Sequence, residues 1–348
     1  MVTINDIAKH TGLSRSTVAA VLSGRAEALR IRDATCEVVK EAAGRLGYSR
    51  NSLAYQMVTG TTDVIGFLCE DLGATEYTGS ILSGVMRKAA DNGYYVKIFP
   101  YSKGGAAKAL ADIIGQRPAG VIAFAVIPPD FEPLFDGLAK VGIPLLSLND
   151  VKADRGLFVV TADADGVAAV VGHLHSLGHR KIGFFTTRKS MELNEPRTEG
   201  FLRGVAGHGL SEAEIIPELL DSPDLETLVL LVAAKSYTAI ACGTDYDAMR
   251  VLQAAAKVGV KVPAQLSVVG FADVFAASLC APPLTTARQP FAQWGAAAAR
   301  RLLEVVNTKA KPFLTEKIVE KIAVELIVRE STAPPFQDRT NITEEALQ

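Results

Sequence analysis

Ser14, Arg15, Ser16 and Thr17 stand in a row and combine a guanidinium with three hydroxyls. An arginine fork can pair with both acceptors on the major-groove edge of guanine, and hydroxyls can reach bases or phosphate oxygens. That chemistry is recognition rather than turnover. Other reactive residue types are poorly placed for catalysis. Cys36, Cys69, Cys242 and Cys280 are too far apart for a CxxC metal pair and read as free thiols in a reducing compartment. His173, His175 and His179 cluster, but their spacing does not share one helical face. The sequence shows no GxGxxG after a strand, no Walker loop and no GxSxG. The expectation is a protein that is not an enzyme and needs no cofactor or metal.

To reach a DNA groove, Arg15 must stand on the outside of a helix whose inner face is held by a core. The segment TINDIAKHTGLSRSTVAAVLSG supplies both. Thr3 followed by Asp6 is a capping-box-like start, with Ile4, Ile7 and Ala8 on one helical face. Gly12 allows a tight turn. Ser14 can cap a second helix, with Val18, Val21 and Leu22 facing inward. A helix, a glycine turn and a second helix form the unit whose second helix enters the major groove. A plain helical hairpin with a solvated arginine fits these residues equally well. Charge leans toward DNA: residues 1–60 sum to +3, whereas the rest of the chain carries -5.

The remaining sequence changes rhythm. The chain has 348 residues, 49% hydrophobic and 21% charged, which suggests more than one globular core. From residue 63 onward the runs DVIGFL, YVKIF, GVIAFAV, PLLSL, LFVVT, KIGFFT, AIAC and LSVVGF alternate with amphipathic stretches. Such runs predict buried parallel strands in βαβ units, in two lobes rather than one sheet. IAVELIV is read as the last strand, and FQDRTNITEEALQ as a flexible tail over 336–348. Asp6 and Lys9 interrupt the start, so no export signal is expected, and no run approaches a membrane span. The expected location is cytoplasmic, with no membrane partner.

Ordered motifs along the chain resemble the LacI (lactose-repressor) family. They are TINDIAKHTGLSRSTVAAVL, EAAGRLGY, NSLAYQMVTG, HLHSLGHRKIGFF, Arg197 with Gly200 and Phe201, VPAQLSVVGFAD, PPLTTARQP and VELIVRESTAPP. The resemblance implies an α/β fold. A helix-turn-helix headpiece (1–48) is followed by a hinge (49–62) and a periplasmic-binding-protein-like core (63–335) of doubly wound parallel sheets. Its first lobe would take residues 63–161 and 291–320, its second 162–290 and 321–335. The implied function is a transcription regulator, a repressor, that binds pseudo-palindromic double-stranded operator DNA as a homodimer. A sugar-like effector between the lobes would modulate it. A transporter's solute-binding protein shares the body but needs an export signal and no headpiece. A regulator with a decayed pocket is the other alternative.

By the same resemblance Arg15 and Ser16 occupy base-reading positions. Ser14, Thr17, Thr35, Tyr48 and Asn51 contact phosphate or anchor the hinge. Ala54 and Met57 fall in the hinge segment, with Met57 in place of a minor-groove leucine wedge. Arg197 takes the effector-binding arginine's position, with Asn149, Asp163, Asp165, Thr244 and Asp245 around it and Asp71 and Tyr77 on the opposite wall. Departures are Ala19 and Ala20 on the recognition helix, a longer loop carrying Arg25, Arg30 and Arg32, and Arg50 for the hinge proline. In the pocket, Ala162 and Ala272 stand where Asp is frequent, and Thr244 where Asn is frequent. Fewer acidic anchors suggest an effector that is less hydroxylated, anionic or larger than a simple monosaccharide. Trp294, where the family has Met, is expected to pack rather than stack on a ligand.

Overall fold

The computed structural model describes residues 2–23, 26–27, 29–48, 62–70, 73, 76–126, 128–149, 153–186, 195–216, 229, 232, 237–308 and 312–335. Asn51, Ala54, Met57, Asp71, Arg25, Arg50 and the segment 336–348 lie outside them. The chain divides into two compact units, Met1–Asp63 and Val64–Gln348.

The first unit is built from helices α1 (Ile4–Thr11), α2 (Arg15–Leu22) and α3 (Asp33–Leu46). Their limits follow from local chemistry. The Thr3 hydroxyl accepts from the Asp6 amide, and the Asp6 carboxylate accepts from the Thr3 backbone, closing a capping box. Gly12 ends α1 in the left-handed region at φ 70°. The Ser14 hydroxyl accepts from the Thr17 amide and starts α2. Ile7, Val18, Val21, Val39, Ala42 and Ala43 form the core, with Ile4, Leu22 and Tyr48 packed at its margin. Ala20 is buried with them.

The second unit holds two six-stranded sheets. The first contains β1 (Val64–Cys69), β2 (Tyr95–Pro100), β3 (Val121–Ala123), β4 (Leu145–Ser147), β5 (Gly156–Thr161) and β11 (Lys317–Ile322). All its pairings are parallel, in the order β11-β5-β4-β3-β1-β2. The second contains β6 (Ile182–Phe185), β7 (Glu214–Ile215), β8 (Ala239–Cys242), β9 (Ser267–Ala272), β10 (Thr285–Arg288) and β12 (Glu325–Ile327). It is parallel except where β12 runs antiparallel to β10. Helices α4 (Glu76–Asp91), α5 (Ala106–Gln116), α6 (Pro128–Lys140) and α10 (Phe291–Asn307) accompany the first sheet. Helices α7 (Asp163–Ser176), α8 (Glu195–Gly207) and α9 (Asp245–Lys257) accompany the second. This is the doubly wound α/β arrangement that buried strand runs dictate.

The chain passes between sheets three times: from β5 into α7, from β10 into α10, and from β11 into β12. The reading of IAVELIV as one strand is corrected here. Ile322 closes β11 in the first sheet, and Glu325 opens β12 in the second. The two intervening residues cross over, which a continuous apolar run does not reveal. The Ala162 amide donates to the Ile322 carbonyl at 2.8 Å, joining two of the crossings.

Helices α4 and α10 meet backbone to backbone. A Cβ at Gly84 would come within 2.0 Å of the Ala292 carbonyl oxygen, and one at Gly295 within 2.0 Å of that of Ile81. No side chain can yield there, because the obstacle is main chain. Gly79, on the same α4, would meet nothing within 4 Å. The two glycines therefore respond oppositely to one substitution. Gly84→Ala is expected to destabilise by about 2–4 kcal/mol, and Gly79→Ala to stabilise by about 0.5–1 kcal/mol. Urea unfolding of both variants checks this; equal midpoints would show that the helices are not in close contact.

Candidate functional site

The first candidate surface is the opening turn of α2. Ser14 Oγ lies 2.8 Å from both Ser16 Oγ and Thr17 Oγ1, so the three hydroxyls form one cluster at the helix N-terminus. Arg15 and Ser16 are exposed, and Arg15 has no ion-pair partner among the described residues. An N-terminal turn also offers unpaired amides and the positive end of the helix dipole. Thr35 sits half-buried near the start of α3, and half-buried Tyr48 follows its end, with its amide donating to Ala43 O. Ala20 cannot serve as an outward position, because it faces the core.

The second candidate lies where the strands of the two sheets end. Arg197 on α8 is buried at 8% exposure. Its Nε donates to Asp163 Oδ2 at 2.9 Å, its Nη1 to the Gly243 carbonyl at 2.7 Å, and its Nη2 to Gln289 Oε1 at 3.3 Å. The guanidinium carbon lies 4.1 Å from the centroid of the Phe271 ring. Gln289 Nε2 donates to Thr161 Oγ1 at 2.8 Å and to Asp163 Oδ1 at 3.0 Å, and Thr161 Oγ1 donates to Asp163 Oδ1 at 2.5 Å. This network joins the β5–α7 crossing to the β10–α10 crossing. Near it, two buried hydroxyls have no hydrogen-bond partner among the described residues, Thr186 Oγ1 just past the end of β6 and Thr198 Oγ1 on α8.

Aromatic rings line the side contributed by the first sheet. Tyr77 stacks on Phe291 at 5.2 Å between centroids and meets Phe124 edge-on at 6.2 Å. Tyr77 and Phe291 pack against the buried clusters of both sheets, so they lie at the junction. Trp294 is buried, meets Phe124 edge-on and donates its indole N–H to Val159 O at 2.6 Å. It packs, as its position suggested. Asn149 Oδ1 accepts from the Ala125 amide at 2.6 Å at the end of β4.

Residues 3–51 match bacterial regulatory proteins of the lacI family, and residues 171–332 match a periplasmic binding protein-like domain. The HTH-type transcriptional regulator MalR of Streptomyces coelicolor is 30% identical over 342 residues, covering 94% of this chain and 96% of MalR. The chain belongs to the lacI family. It is a DNA-binding transcription regulator. Solved structures that share the fold include two regulators. The lac repressor dimer bound to operator and the anti-inducer ONPF superposes with a TM-score of 0.76 at 24% identity, over 95% of this chain and 99% of that one. The transcriptional regulator CelR–cellobiose complex gives a TM-score of 0.66 at 22% identity, over 95% and 100%.

In this lacI-family chain the expected pocket positions separate into groups. Arg197 and Asp163 meet directly, while Asp165 turns outward and pairs with Arg203 at 2.5 Å. The Thr244 hydroxyl caps α9, accepting from the Asp247 amide at 3.0 Å and donating to Asp247 Oδ2 at 2.9 Å. Asp245 is fully buried; it accepts from Thr286 Oγ1 at 2.5 Å and the Val274 amide at 2.8 Å. Asp165 and Asp245 are thus held away from the Arg197 network, one by exposure and the other by burial. Sequence reading passed over Gln289, Phe124, Phe291 and Thr186. Gln289 and its neighbours lie in the PPLTTARQP motif, but nothing local shows where its amide points. His173 and His179 are structural: His173 Nε2 meets Thr332 Oγ1, and His179 bridges Thr238 and Ala333. Among the described residues no group of three or more side chains could hold a metal. No helix among them is long and apolar enough to cross a membrane.

Burial raises the Asp245 carboxyl from 3.8 to about 6, partly offset by the bonds from Thr286 and Val274 and reinforced by Asp273. The folded state therefore holds this proton more tightly than the unfolded chain. Its contribution is present below about pH 4 and lost as pH rises through about 6. Asp245→Asn keeps the shape and removes the titration. Across that window the wild type is expected to lose up to about 3 kcal/mol relative to the variant. Parallel urea titrations at pH 4, 5, 6 and 7 read the difference directly; a constant gap would mean that Asp245 does not titrate there.

Proposed function

We propose that this chain represses transcription by binding a pseudo-palindromic operator as a homodimer, with affinity set by a carbohydrate or related effector held between the two sheets. The observation that carries the DNA half is the opening turn of α2. Its inner face is buried, whereas Arg15 and the Ser14–Ser16–Thr17 hydroxyls remain outside and available to bases and phosphates. Thr35 and Tyr48, with Asn51, Ala54 and Met57 from the undescribed segment, extend the set by family resemblance.

Dimer formation is supported by two groups of exposed apolar side chains on the core. Met86, Tyr95 and Ile98 lie on α4 and the edge strand β2; Tyr246, Phe275 and Leu279 lie on and beyond α9. Exposed apolar groups along a sheet edge favour pairing with another chain. The effector half rests on the junction itself. Aromatic rings from the first sheet lie near convergent polar groups at the strand ends, the usual place for ligands in doubly wound sheets. A related regulator of this fold, CelR, is seen with cellobiose. Tyr77, Asn149, Arg197 and Asp163 are the side chains placed to take part. An effector that binds one sheet arrangement more tightly would shift the population of DNA-competent dimers.

Operator sites selected from random DNA provide the test. Arg15→Ala is expected to weaken binding to the selected site by about 1–3 kcal/mol, roughly 5- to 150-fold, and to leave binding to scrambled DNA nearly unchanged. Equal loss on both would reduce Arg15 to a phosphate contact. In sedimentation, Tyr95→Asp combined with Leu279→Asp is expected to convert dimer to monomer; an unchanged dimer would place the interface elsewhere.

A further inference from the structure

The loop that joins α2 to α3 breaks two local rules between Arg30 and Arg32, each time with an arginine. Arg30 adopts a left-handed backbone, φ 51°, which glycine enters at lower cost. Arg32 is the N-cap of α3 yet makes no side-chain bond to the helix, where serine, threonine, aspartate or asparagine would hold an amide. The side chains gain nothing in return within the first unit. Both are exposed, and among the described residues neither forms an ion pair. The residues of that unit outside the described set include no acid. Of its acids, Asp6 is engaged by Thr3 and Glu41 by Arg45. The backbone beneath the arginines is nonetheless fixed. The Arg30 amide donates to Glu27 O at 3.0 Å and the Ile31 amide to Ala26 O at 2.9 Å, while Ala26 and Ile31 pack at the margin of the core. Ile31 therefore turns inward, and the arginines on either side of it turn out, their Cα atoms no more than about 7 Å apart. The Arg32 carbonyl accepts from the Thr35 amide at 2.9 Å, so Arg32 stands one turn ahead of Thr35, a phosphate position by the family resemblance. Beyond Thr17, α2 holds only Val18, Ala19, Ala20, Val21 and Leu22, so its polar side chains end at its first turn.

We propose that Arg30 and Arg32 form a clamp on the sugar-phosphate backbone of DNA, which this chain's loop adds to the reading turn of α2. The proposal rests on the DNA-binding reading of the first unit and assigns no base to either residue. Two guanidiniums on a turn already closed by backbone bonds lose little freedom when they meet phosphate oxygens. Residues that break a local rule and gain no partner by it are expected at functional sites. Arg15 would then read sequence, while Arg30 and Arg32 supply affinity that is independent of sequence and sensitive to salt.

The test uses the full chain with a selected operator and a scrambled duplex, binding being followed by fluorescence anisotropy from about 50 to about 200 mM salt. Arg30→Gly relieves the left-handed residue, and Arg32→Ser supplies the missing cap, so neither is expected to lower Tm. Lost affinity in these variants is then not lost folding. Each is expected to weaken binding by about the same factor on both duplexes. Each should also make the fall of log K with log salt shallower by at least about 0.9. Arg45→Ala, which removes an equal charge from α3, is expected to leave that slope at its wild-type value. Arg30→Asn and Arg32→Thr serve if either first variant does not fold. A wild-type slope in both loop variants overturns the proposal. So does an equal change in Arg45→Ala, which would reduce the effect to net charge. Weakening confined to the selected operator would make the two residues base contacts and overturn the clamp. A wild type that binds neither duplex would refute the DNA-binding reading itself, whereas failure of the clamp alone leaves wild-type binding intact.

Discussion

A guanidinium taken out of water needs a counter-charge at contact distance and an acceptor for each nitrogen, or burial costs several kcal/mol. Arg197 meets that demand with groups from far apart in the chain. Asp163 opens α7, Gly243 ends the strand β8, and Gln289 lies between β10 and α10. Satisfying one side chain thus draws together two of the three crossings between the sheets. Thr161 and Gln289 then tie those crossings to each other. The third joins through the Ala162 amide and Ile322 carbonyl. Any rearrangement of one sheet against the other has to keep this cluster satisfied or exchange its partners together.

The first sheet's side of the junction depends on a different constraint, close packing. Gly84 and Gly295 let α4 and α10 touch along their backbones. That proximity sets Tyr77, near the start of α4, against Phe291, at the start of α10. Trp294, one turn on, anchors α10 to β5 through Val159. An aromatic wall and a hydrogen-bonded polar cluster therefore reach the same place for separate reasons, one steric and one electrostatic.

The headpiece follows another logic. Its core is small, so its helices lean on caps and turns: the Thr3–Asp6 box, Gly12 at positive φ and Ser14 over α2. These interactions span three or four residues, and all were legible before any fold was known. So was the outward placing of Arg15 and Ser16, since helical spacing alone separates them from Val18 and Val21. Ala20 was not. It lies on the same short helix, yet it turns inward, because burial there depends on how α2 meets the rest of the headpiece rather than on spacing within α2.

In the core the same division recurs at larger scale. Apolar runs announced the strands, and their number required more than one sheet, because hydrophobic periodicity is a local property. That IAVELIV would be divided, with Ile322 ending a strand of the first sheet and Glu325 opening one of the second, was invisible, since the run reads as one strand. The partners of Arg197 are 34, 46 and 92 residues away. No spacing rule connects such positions. For the same reason sequence could place Asp163, Asp165 and Asp245 near strand ends but could not separate their fates. The fold pairs the first with a buried cation, turns the second to solvent and seals the third beneath Thr286. By itself, then, the sequence determined most of the elements, the caps of α1 and α2 and the outward face of α2's first turn. Only the tertiary structure decided which charges cancel, because cancellation depends on distances that the chain acquires by folding.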